Sequence, residues 1–235
     1  MRDTHTGLKR FAEIFTVTQT AGTGLRRRIR KLAKQLCPPT LVDEAKRFQA
    51  CDKNERGSYL KLRIVERGAI PSSRDAIIPA GARTFLFVCH GNIIRSPMCE
   101  ALMKRELLDG KSNLRVASAG IHAVPGNQAH PWAIRAAHEL GISLADHRAR
   151  LLSEQDVVEA DVVFAMDYQN QVQLFMRWPQ ARSKIFMLGG YAALGGESVE
   201  IHDPFYRGEM ATAQCYRQLS KCIHNLVGSM NTVSP

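Results

Sequence analysis

The stretch Thr84 to Pro97 reads T-F-L-F-V-C-H-G-N-I-I-R-S-P and combines an apolar run, a cysteine and an arginine. Its apolar run, Phe85 to Val88, predicts a buried strand that ends at Cys89. Helix-forming residues from Pro97 to Leu108 predict a helix soon after Arg95. A thiol between a strand end and a helix N-terminus lies where backbone N–H groups can hold a phosphate-like anion.

The residues inside this loop are those that an anion site needs. Gly91 permits unusual backbone angles and close approach, and Asn92 tolerates the left-handed conformation. Ser96 and Pro97 suit a helix N-cap and a first turn. We therefore interpret Cys89 as a nucleophile, and the alternative is a buried structural cysteine at a strand end.

The chain contains a control for this spacing. Cys99 and Arg105 are also separated by five residues, but those residues, 100–104, are good helix formers. Their N–H groups are expected to be used within a helix, so this second pair does not predict an anion site.

Charge divides the 235 residues into two parts. Residues 1–83 carry 18 Lys+Arg and 8 Asp+Glu, whereas the remainder carries 14 of each, so the net charge of +10 belongs to the N-terminal third. The stretch from Gly68 to Gly81 is typical of a linker. We predict a basic N-terminal extension and linker over residues 1–80 and a globular domain over residues 81–230.

Six cysteines form neither a C-x-x-C pair nor a metal-ligand pattern with the eight histidines. The chain has no secretory signal and no apolar run of transmembrane length. We therefore expect a cytoplasmic protein with reduced thiols and with neither a metal nor another cofactor.

Apolar strands alternate with helices along the rest of the chain. This order predicts an α/β fold, with a four-stranded parallel sheet covered by helices on both faces. Ligands bind such sheets at the carboxyl ends of strands, where the Cys89 loop falls. The predicted strands are Phe85–Val88, Leu114–Ala117, Asp161–Ala165 and Lys184–Leu188, and the predicted helices are Pro97–Leu108, His130–Leu140, Ser153–Glu159, Tyr168–Arg177 and Glu209–Val227.

Residues 25–36 form a basic amphipathic pattern that predicts a helix, and residues 40–50 predict a second one. The basic helix could bind an anionic membrane surface or an acidic partner, which would make the protein membrane-peripheral. Two other interpretations stay open: a solvated charged face on a helix packed against the body, and disorder. A nucleic-acid partner is not expected.

A phosphate ester needs more than a nucleophile. The loop and Arg95 favour the thiolate of Cys89, and a guanidinium can hold two phosphate oxygens in a bidentate fork. A departing phenolate needs a proton, and Asp203 is a candidate acid because the proline after it keeps it out of a helix. Phe205 and Tyr206 could flank a planar ring. The alternative for Asp203 is an ordinary Asp-Pro turn.

Five motifs occur in order along the body. They are V-C-x-G-N-x-x-R-S-P at Val88–Pro97, S-A-G at Ser118–Gly120, D-H-R-A-R at Asp146–Arg150, A-M-D at Ala165–Asp167 and D-P-F-Y at Asp203–Tyr206. With them, residues 84 to about 228 resemble the low-molecular-weight protein tyrosine phosphatases of bacterial type. The resemblance implies a Rossmann-like phosphatase fold and hydrolysis of phosphotyrosine through a phospho-cysteine.

The resemblance also implies a role for each site residue. Cys89 would be the nucleophile, Arg95 the phosphate clamp and Asp203 the general acid. Three further groups of site residues are implied. The phosphate-binding loop contains His90, Gly91, Asn92, Ile93, Ile94 and Ser96. A supporting network of Ser96, Ser118 and His147 holds Asn92, and the pocket wall consists of Phe205, Tyr206 and Val124.

Three departures from the family pattern have consequences. Ile94 stands where many members have a second cysteine, so a protective disulfide with Cys89 is not expected. Val124 or His122 stands near the position of an aromatic wall, which predicts a looser slot for a phenyl ring. The N-terminal extension has no counterpart in the family's usual single domain.

Three other functions are compatible with parts of this pattern. A thioredoxin-coupled arsenate reductase would need relay cysteines in the middle of the chain, and none occurs between Cys99 and Cys215. A protein-arginine phosphatase favours a small polar residue in place of Ile93. A non-catalytic phosphoprotein-binding module would not need to keep Cys89, Arg95 and Asp203. Bacterial relatives often act on tyrosine kinases of polysaccharide export, and we expect a partner of that kind.

Overall fold

The computed structural model describes residues 57, 78–108, 113–192 and 199–231. From residue 78 onward, the described part contains four strands and five α-helices. The strands are β1 (Thr84–Cys89), β2 (Arg115–Gly120), β3 (Val162–Ala165) and β4 (Ile185–Met187). The helices are α1 (Arg95–Leu108), α2 (Pro131–Glu139), α3 (Glu154–Glu159), α4 (Tyr168–Arg177) and α5 (Glu209–Asn231).

The four strands form one parallel sheet in the order β2-β1-β3-β4. In this register Cys89 pairs with Gly120 of β2, and Val88 pairs with Ala165 of β3. The carboxyl ends of these three strands therefore meet at one edge, where ligands of such sheets bind. The predicted four-stranded parallel sheet is confirmed.

Side chains of β1 alternate between the two faces of the sheet, as the period of a strand requires. Phe85, Phe87 and Cys89 point into a core cluster that α1, α2 and α5 cover. Within this cluster the Phe87 ring stacks on Phe164 of β3 with centroids 5.4 Å apart. Helices α3 and α4 pack instead against β1, β3 and β4. Helices thus cover both faces, as predicted.

Several element boundaries differ from the predicted ones. Strand β2 continues past Ala117 through Ser118, Ala119 and Gly120, because these small residues keep pairing with β1 although they lack an apolar strand pattern. Helix α5 continues past Gly228 to Asn231, since a single glycine in a helix is not a stop signal. Two 3-10 helices beside β4, Pro179–Lys184 and Leu188–Tyr191, were not predicted.

Helix ends show one confirmed and one wrong prediction. Ser153 caps α3 in a capping box with Asp156, as its Ser-x-x-Asp pattern predicts. Helix α1 begins at Arg95, so Ser96 lies in its first turn and is not the N-cap. The Ser96 hydroxyl is used by the neighbouring loop and not by the helix backbone.

The predicted helices over residues 25–36 and 40–50 lie outside the described residues, and so does most of the predicted linker over residues 68–81. Among the helices that the structure does describe, none combines the length and the apolar character needed to cross a membrane.

Candidate active site

The loop between β1 and α1 turns its carbonyl oxygens outward, toward the surrounding elements. With these carbonyls pointing away, the N–H groups of the same peptide units point to the other side of the loop, and the Asn92 N–H is directed at the Cys89 sulfur. Such an arrangement is that of an anion cradle. Five loop carbonyls accept hydrogen bonds: Cys89 from Ile121 N (3.0 Å), His90 from His122 N (2.8 Å), Asn92 from His147 Nε2 (2.7 Å), Ile93 from His130 N (2.9 Å) and Ile94 from the Tyr216 hydroxyl (3.0 Å).

The Cys89 sulfur lies at the base of this cradle and is buried. The backbone N–H of Asn92 donates to Sγ at 3.3 Å, and the Ser96 hydroxyl lies 3.0 Å from it. The Asn92 N–H is a donor to the sulfur, whereas the Ser96 hydroxyl can give its single proton either to the sulfur or to the Ala119 carbonyl, which lies 3.3 Å away.

Asn92 holds the strained point of the loop. It is the one non-glycine residue with positive φ (53°) in the described part of the chain, and its side chain is fully buried. Its Nδ2 donates to the hydroxyls of Ser96 and Ser118, each at 2.9 Å, and its carbonyl accepts from His147. The structure therefore brings together all the residues of the predicted network.

Two further members of this network were not predicted. The backbone N–H of Arg150 donates to Asn92 Oδ1 at 2.9 Å, and Glu100 accepts from the Ser118 hydroxyl at 2.6 Å. With these contacts every polar group of the buried Asn92 side chain is satisfied, and full satisfaction keeps a buried strained residue in place. Neither contact has a sequence signal, because one uses backbone and the other a glutamate on an ordinary helix face.

The glycine required for close approach is Gly120 and not Gly91. Gly91 does not have a positive φ, and an added Cβ would make an ordinary 3.5 Å contact with Ile93. A Cβ on Gly120 would instead lie 2.8 Å from the Asn92 nitrogen and from the Gly91 carbonyl carbon. The end of β2 therefore packs directly against the loop backbone, and only glycine fits there.

Arg95 is almost completely buried beneath the loop and bridges three groups. Its Nη1 donates to Asp167 at 2.6 Å and to the Ile201 carbonyl at 3.0 Å, and its Nη2 donates to Asp203. Burial alone would lower the pKa of Arg95, but the charges of Asp203 and Asp167 outweigh it and raise that pKa above its usual value. These contacts use three of the five guanidinium donors.

Asp167 is a site residue to which the sequence interpretation assigned no role. Besides binding Arg95, it caps α4 by accepting from the Asn170 N–H at 2.7 Å. A signal was available, because Asp167 follows the carboxyl end of β3 by two residues and β3 pairs with β1. An acid at that edge of a parallel sheet is a candidate site residue.

Asp203 lies at the mouth of the cavity. Its Oδ2 contacts Arg95, whereas its Oδ1 accepts from the Phe205 N–H at 3.1 Å and so closes a local turn. The side chain is 39% exposed. The structure thus places Asp203 at the same edge as Cys89 and Arg95, although 108 residues separate it from the arginine.

The predicted wall residues have different environments. Phe205 is half-buried, and its ring meets His130 edge-on with centroids 5.5 Å apart, while His130 packs on Trp132 at 4.6 Å. Tyr206 touches Phe205 but is 93% exposed, and Val124 is 61% exposed. Phe205 is therefore the wall residue that other side chains support. Its supporting residues, His130 and Trp132, were not predicted from the sequence.

A pair of histidines forms another part of the rim. The rings of His90 and His122 lie 4.7 Å apart, and His122 Nε2 lies 3.2 Å from Oε1 of the buried Gln173. Burial and the proximity of His122 lower the pKa of His90 below its usual value. His122, one of the two positions considered for the aromatic wall, therefore contacts the loop at His90.

A family model described as "Low molecular weight phosphotyrosine protein phosphatase" matches residues 84–234. The chain belongs to this family. The match begins at the first residue of β1 and includes the whole sheet, the Cys89 loop and the Asp203 turn.

Individual relatives agree with this assignment. The chain is 36% identical over 123 residues to a probable low molecular weight protein-tyrosine-phosphatase, EpsP, of Ralstonia nicotianae, covering 52% of this chain and 79% of that protein. It is 38% identical over 120 residues to a protein-arginine-phosphatase of Bacillus subtilis, covering 51% and 78%. The tyrosine phosphatase Wzb from Escherichia coli K30, solved with sulphate, aligns with a TM-score of 0.57 at 29% identity, over 63% of this chain and 97% of Wzb.

The remaining cysteines of the phosphatase body lie in its core. Ile94 is buried, so the position before the loop arginine contributes apolar packing. Burial raises the pKa of Cys99 well above its usual value, and burial likewise raises the pKa of Cys215 to about 12. Such thiols are protonated and unreactive. Cys99 lies inside α1 and Arg105 donates to the Leu140 carbonyl, so the second Cys-x5-Arg pair forms no anion site.

Proposed function

We propose that this phosphatase hydrolyses phosphotyrosine in proteins, with Cys89 as the nucleophile, Arg95 as the phosphate clamp and Asp203 as the general acid. The observation that supports the proposal best is the meeting of these three side chains at one edge of the sheet. The inward N–H groups of the loop add a binding site for the three phosphoryl oxygens.

Arg95 retains two N–H donors for a substrate beside its contacts with Asp167, Ile201 and Asp203. The Nε and second Nη2 donors, which the contacts above leave over, provide a bidentate fork for two phosphoryl oxygens. A phosphate dianion there also competes with Asp203 for the guanidinium. The first step needs Asp203 to give up its contact with Arg95 and to act as a proton donor.

In the first step the Cys89 thiolate attacks phosphorus. The S–P bond forms as the P–O bond to the phenol breaks, and the proton of Asp203 passes to the departing phenolate. In the second step the Asp203 carboxylate takes a proton from water, the water oxygen bonds to phosphorus, and the S–P bond breaks. The thiolate that leaves accepts a hydrogen bond from the Asn92 N–H.

A single set of assays tests this assignment in the full chain. Turnover of para-nitrophenyl phosphate and of a phosphotyrosine peptide is expected to vanish in Cys89→Ser. In Asp203→Ala the loss in kcat should be about 10²-fold or more for the peptide, because positioned general acids contribute typically 10²–10⁴-fold. The loss should be smaller for para-nitrophenolate, which needs less protonation. Equal turnover by Cys89→Ser and wild type would refute the assignment.

Phosphoarginine is the competing substrate, because the relatives include the protein-arginine-phosphatase described above. We favour phosphotyrosine because the loop carries the apolar residue Ile93, whose carbonyl accepts from the N–H of His130, and the His130 ring in turn meets Phe205. A phenyl ring gains more from apolar and aromatic contacts than a guanidinium does. A higher kcat/KM for a phosphoarginine peptide than for a phosphotyrosine peptide would overturn this choice.

We further propose that the substrate is a tyrosine kinase of polysaccharide export, on the basis of the similarity to EpsP and Wzb. In this proposal residues 81–230 are the catalytic domain and residues 1–80 an extension. Residues 25–36 of that extension would bring the enzyme to an anionic membrane surface or an acidic partner. Deletion of residues 1–80 should then reduce binding to anionic vesicles and activity on the membrane-bound kinase, while turnover of para-nitrophenyl phosphate is unchanged. Unchanged vesicle binding and kinase activity would contradict the proposal.

A further inference from the structure

His130 connects three parts of the active-site mouth. Its backbone N–H donates to the carbonyl of Ile93 in the phosphate loop at 2.9 Å. Its Nδ1 accepts from the Trp132 N–H at 3.3 Å and thereby caps the start of α2. Its ring meets the edge of Phe205 in the acid turn with centroids 5.5 Å apart.

The capping contact requires a neutral imidazole. Nδ1 can accept the Trp132 N–H only while it carries a lone pair, and in the imidazolium both ring nitrogens are donors. Protonation would also place a positive charge at the N-terminus of α2, where the helix dipole disfavours it. Partial burial and the charge of Arg135 lower the pKa of His130 below its usual value.

Charged groups on the neighbouring elements do not offset this preference. Arg135 on the same helix is held by Glu209 of α5, at 2.5 and 2.9 Å. Asp203 in the acid turn is engaged by Arg95, which is the cation on the side of the phosphate loop. Both carboxylates are therefore paired with arginines, and Phe205 offers His130 only an aromatic edge.

The slot for a substrate ring depends on this support. Of the other two predicted wall residues, Val124 is a short, exposed side chain, and Tyr206 is almost fully exposed. Phe205 is held by the His130 ring, which is itself packed on Trp132. A displaced His130 ring would leave Phe205 without that backing.

We propose that neutral His130 is a positioning residue that holds Phe205 as the wall for the substrate ring, so that protonation of His130 weakens the binding of aryl phosphates. This inference rests on the proposed phosphatase function. The contacts determine the direction of the pH dependence. Phe205 is supported at pH values above the pKa of free histidine, where His130 is neutral. The support is lost as the pH falls through the pKa of His130 in the fold, which is lower than that of free histidine.

The test compares two substrates in the full chain from about pH 8 to about pH 5, across the range where histidine titrates. Para-nitrophenyl phosphate has a ring and acetyl phosphate has none. The measured quantity is the KM for para-nitrophenyl phosphate divided by the KM for acetyl phosphate. In wild type this ratio should rise about 3- to 10-fold as the pH falls, the size expected for loss of one or two aromatic contacts. His130→Asn keeps a capping acceptor but does not titrate, so its ratio should change much less.

Control variants isolate the effect. Substrate ionisation is common to all variants and cancels when wild type and His130→Asn are compared. His138→Gln removes an exposed histidine at the other end of the same helix and should behave as wild type. His130→Ala, without a cap or a ring, should have a raised aryl KM at every pH. The same pH dependence of the KM ratio in wild type and His130→Asn would overturn the inference.

Failure of the inference and failure of the proposed function give different results. A wild type that hydrolyses neither substrate refutes the function, and NMR then still tests the coupling without turnover. The Phe205 ring resonances should shift with the same midpoint as the His130 imidazole in wild type and should not titrate in His130→Asn. Phe205 resonances that ignore the His130 titration would refute the inference.

Discussion

The two sides of the Cys89 loop are built differently. On the supporting side, Asn92, Ser96 and Ser118 are almost fully buried, and Asn92 donates a hydrogen bond to each serine. On the mouth side, Tyr206 is 93% exposed and Val124 is 61% exposed. The bond-breaking atoms are thus held by a buried polar network, whereas the surface that would meet the substrate is open.

The physical difference lies in what each side loses when one member is changed. An unpaired polar group in the buried network loses its hydrogen bond without recovering water, which destabilises the protein by about 1–3 kcal/mol. An exposed side chain at the mouth exchanges one set of solvent contacts for another. We therefore expect substitutions on the supporting side to reduce kcat and stability, and substitutions at the mouth to change KM.

The largest effect in this comparison is expected at Arg95. Arg95→Lys removes the planar fork that both carboxylates and the phosphate need, so kcat/KM should fall about 10²–10³-fold. The matched control is Arg105→Lys, because Arg105 follows Cys99 at the same spacing at which Arg95 follows Cys89. Arg105 donates to an exposed backbone carbonyl, so the kcat/KM of this variant should stay within about 2-fold of the wild-type value. Steady-state kinetics with para-nitrophenyl phosphate measures both, and similar losses in the two variants would contradict the assignment.

A smaller effect is expected at Gly120. In Gly120→Ala the new Cβ must displace the backbone at Asn92 or Gly91, which are 2.8 Å away, so kcat/KM should fall about 10- to 100-fold. The free energy of unfolding should decrease by about 1–3 kcal/mol. Urea unfolding and kinetics measure the two effects.

Gly228→Ala is the control for that substitution. Gly228 lies in α5 with nothing within 4 Å of an added Cβ, so alanine should leave activity unchanged and raise stability by up to about 1 kcal/mol. If Gly120→Ala were as active as wild type, the supporting side would tolerate more displacement than its packing indicates.

The smallest effect is expected at the mouth, where the two predicted wall residues can be separated. Phe205→Ala should raise the KM for para-nitrophenyl phosphate about 3- to 10-fold with kcat changed less, because the ring slot loses its supported wall. Tyr206→Ala should change KM less than about 2-fold, since an exposed side chain contributes little. A larger increase in KM for Tyr206→Ala than for Phe205→Ala would identify Tyr206 as the side chain that contacts the substrate ring. Phe205 would then not be the wall of the slot.

Much of the fold and of the supporting side could be predicted from the sequence. The strand from Phe85 and the helix to Leu108 follow from local hydrophobicity and helix propensity. Asn92 was expected to adopt a left-handed conformation because few other residue types tolerate it, and its φ of 53° confirms this. Gly91 was expected to permit unusual backbone angles and close approach, but its φ is not positive and the close approach occurs at Gly120.

The mouth could be predicted only in part. Asp203 and Phe205 could be recognised as candidates from their motif, but His130 and Trp132 behind the wall carry no such signal. His130 is an unusual N-cap, and its position against Phe205 depends on how α2 and the acid turn pack.

The sequence by itself determined the α/β fold, the strand-loop-helix around Cys89, and the chemical types at the candidate site, because each of these depends on near neighbours in the chain. Only the tertiary structure decided that Arg95 is shared by Asp167 and Asp203, that Gly120 meets the loop backbone, and that His130 supports Phe205. The partners in these contacts lie 28 to 108 residues apart in the chain and belong to different parts of the fold. Sheet register and helix packing bring them together, and neither is encoded in a local pattern.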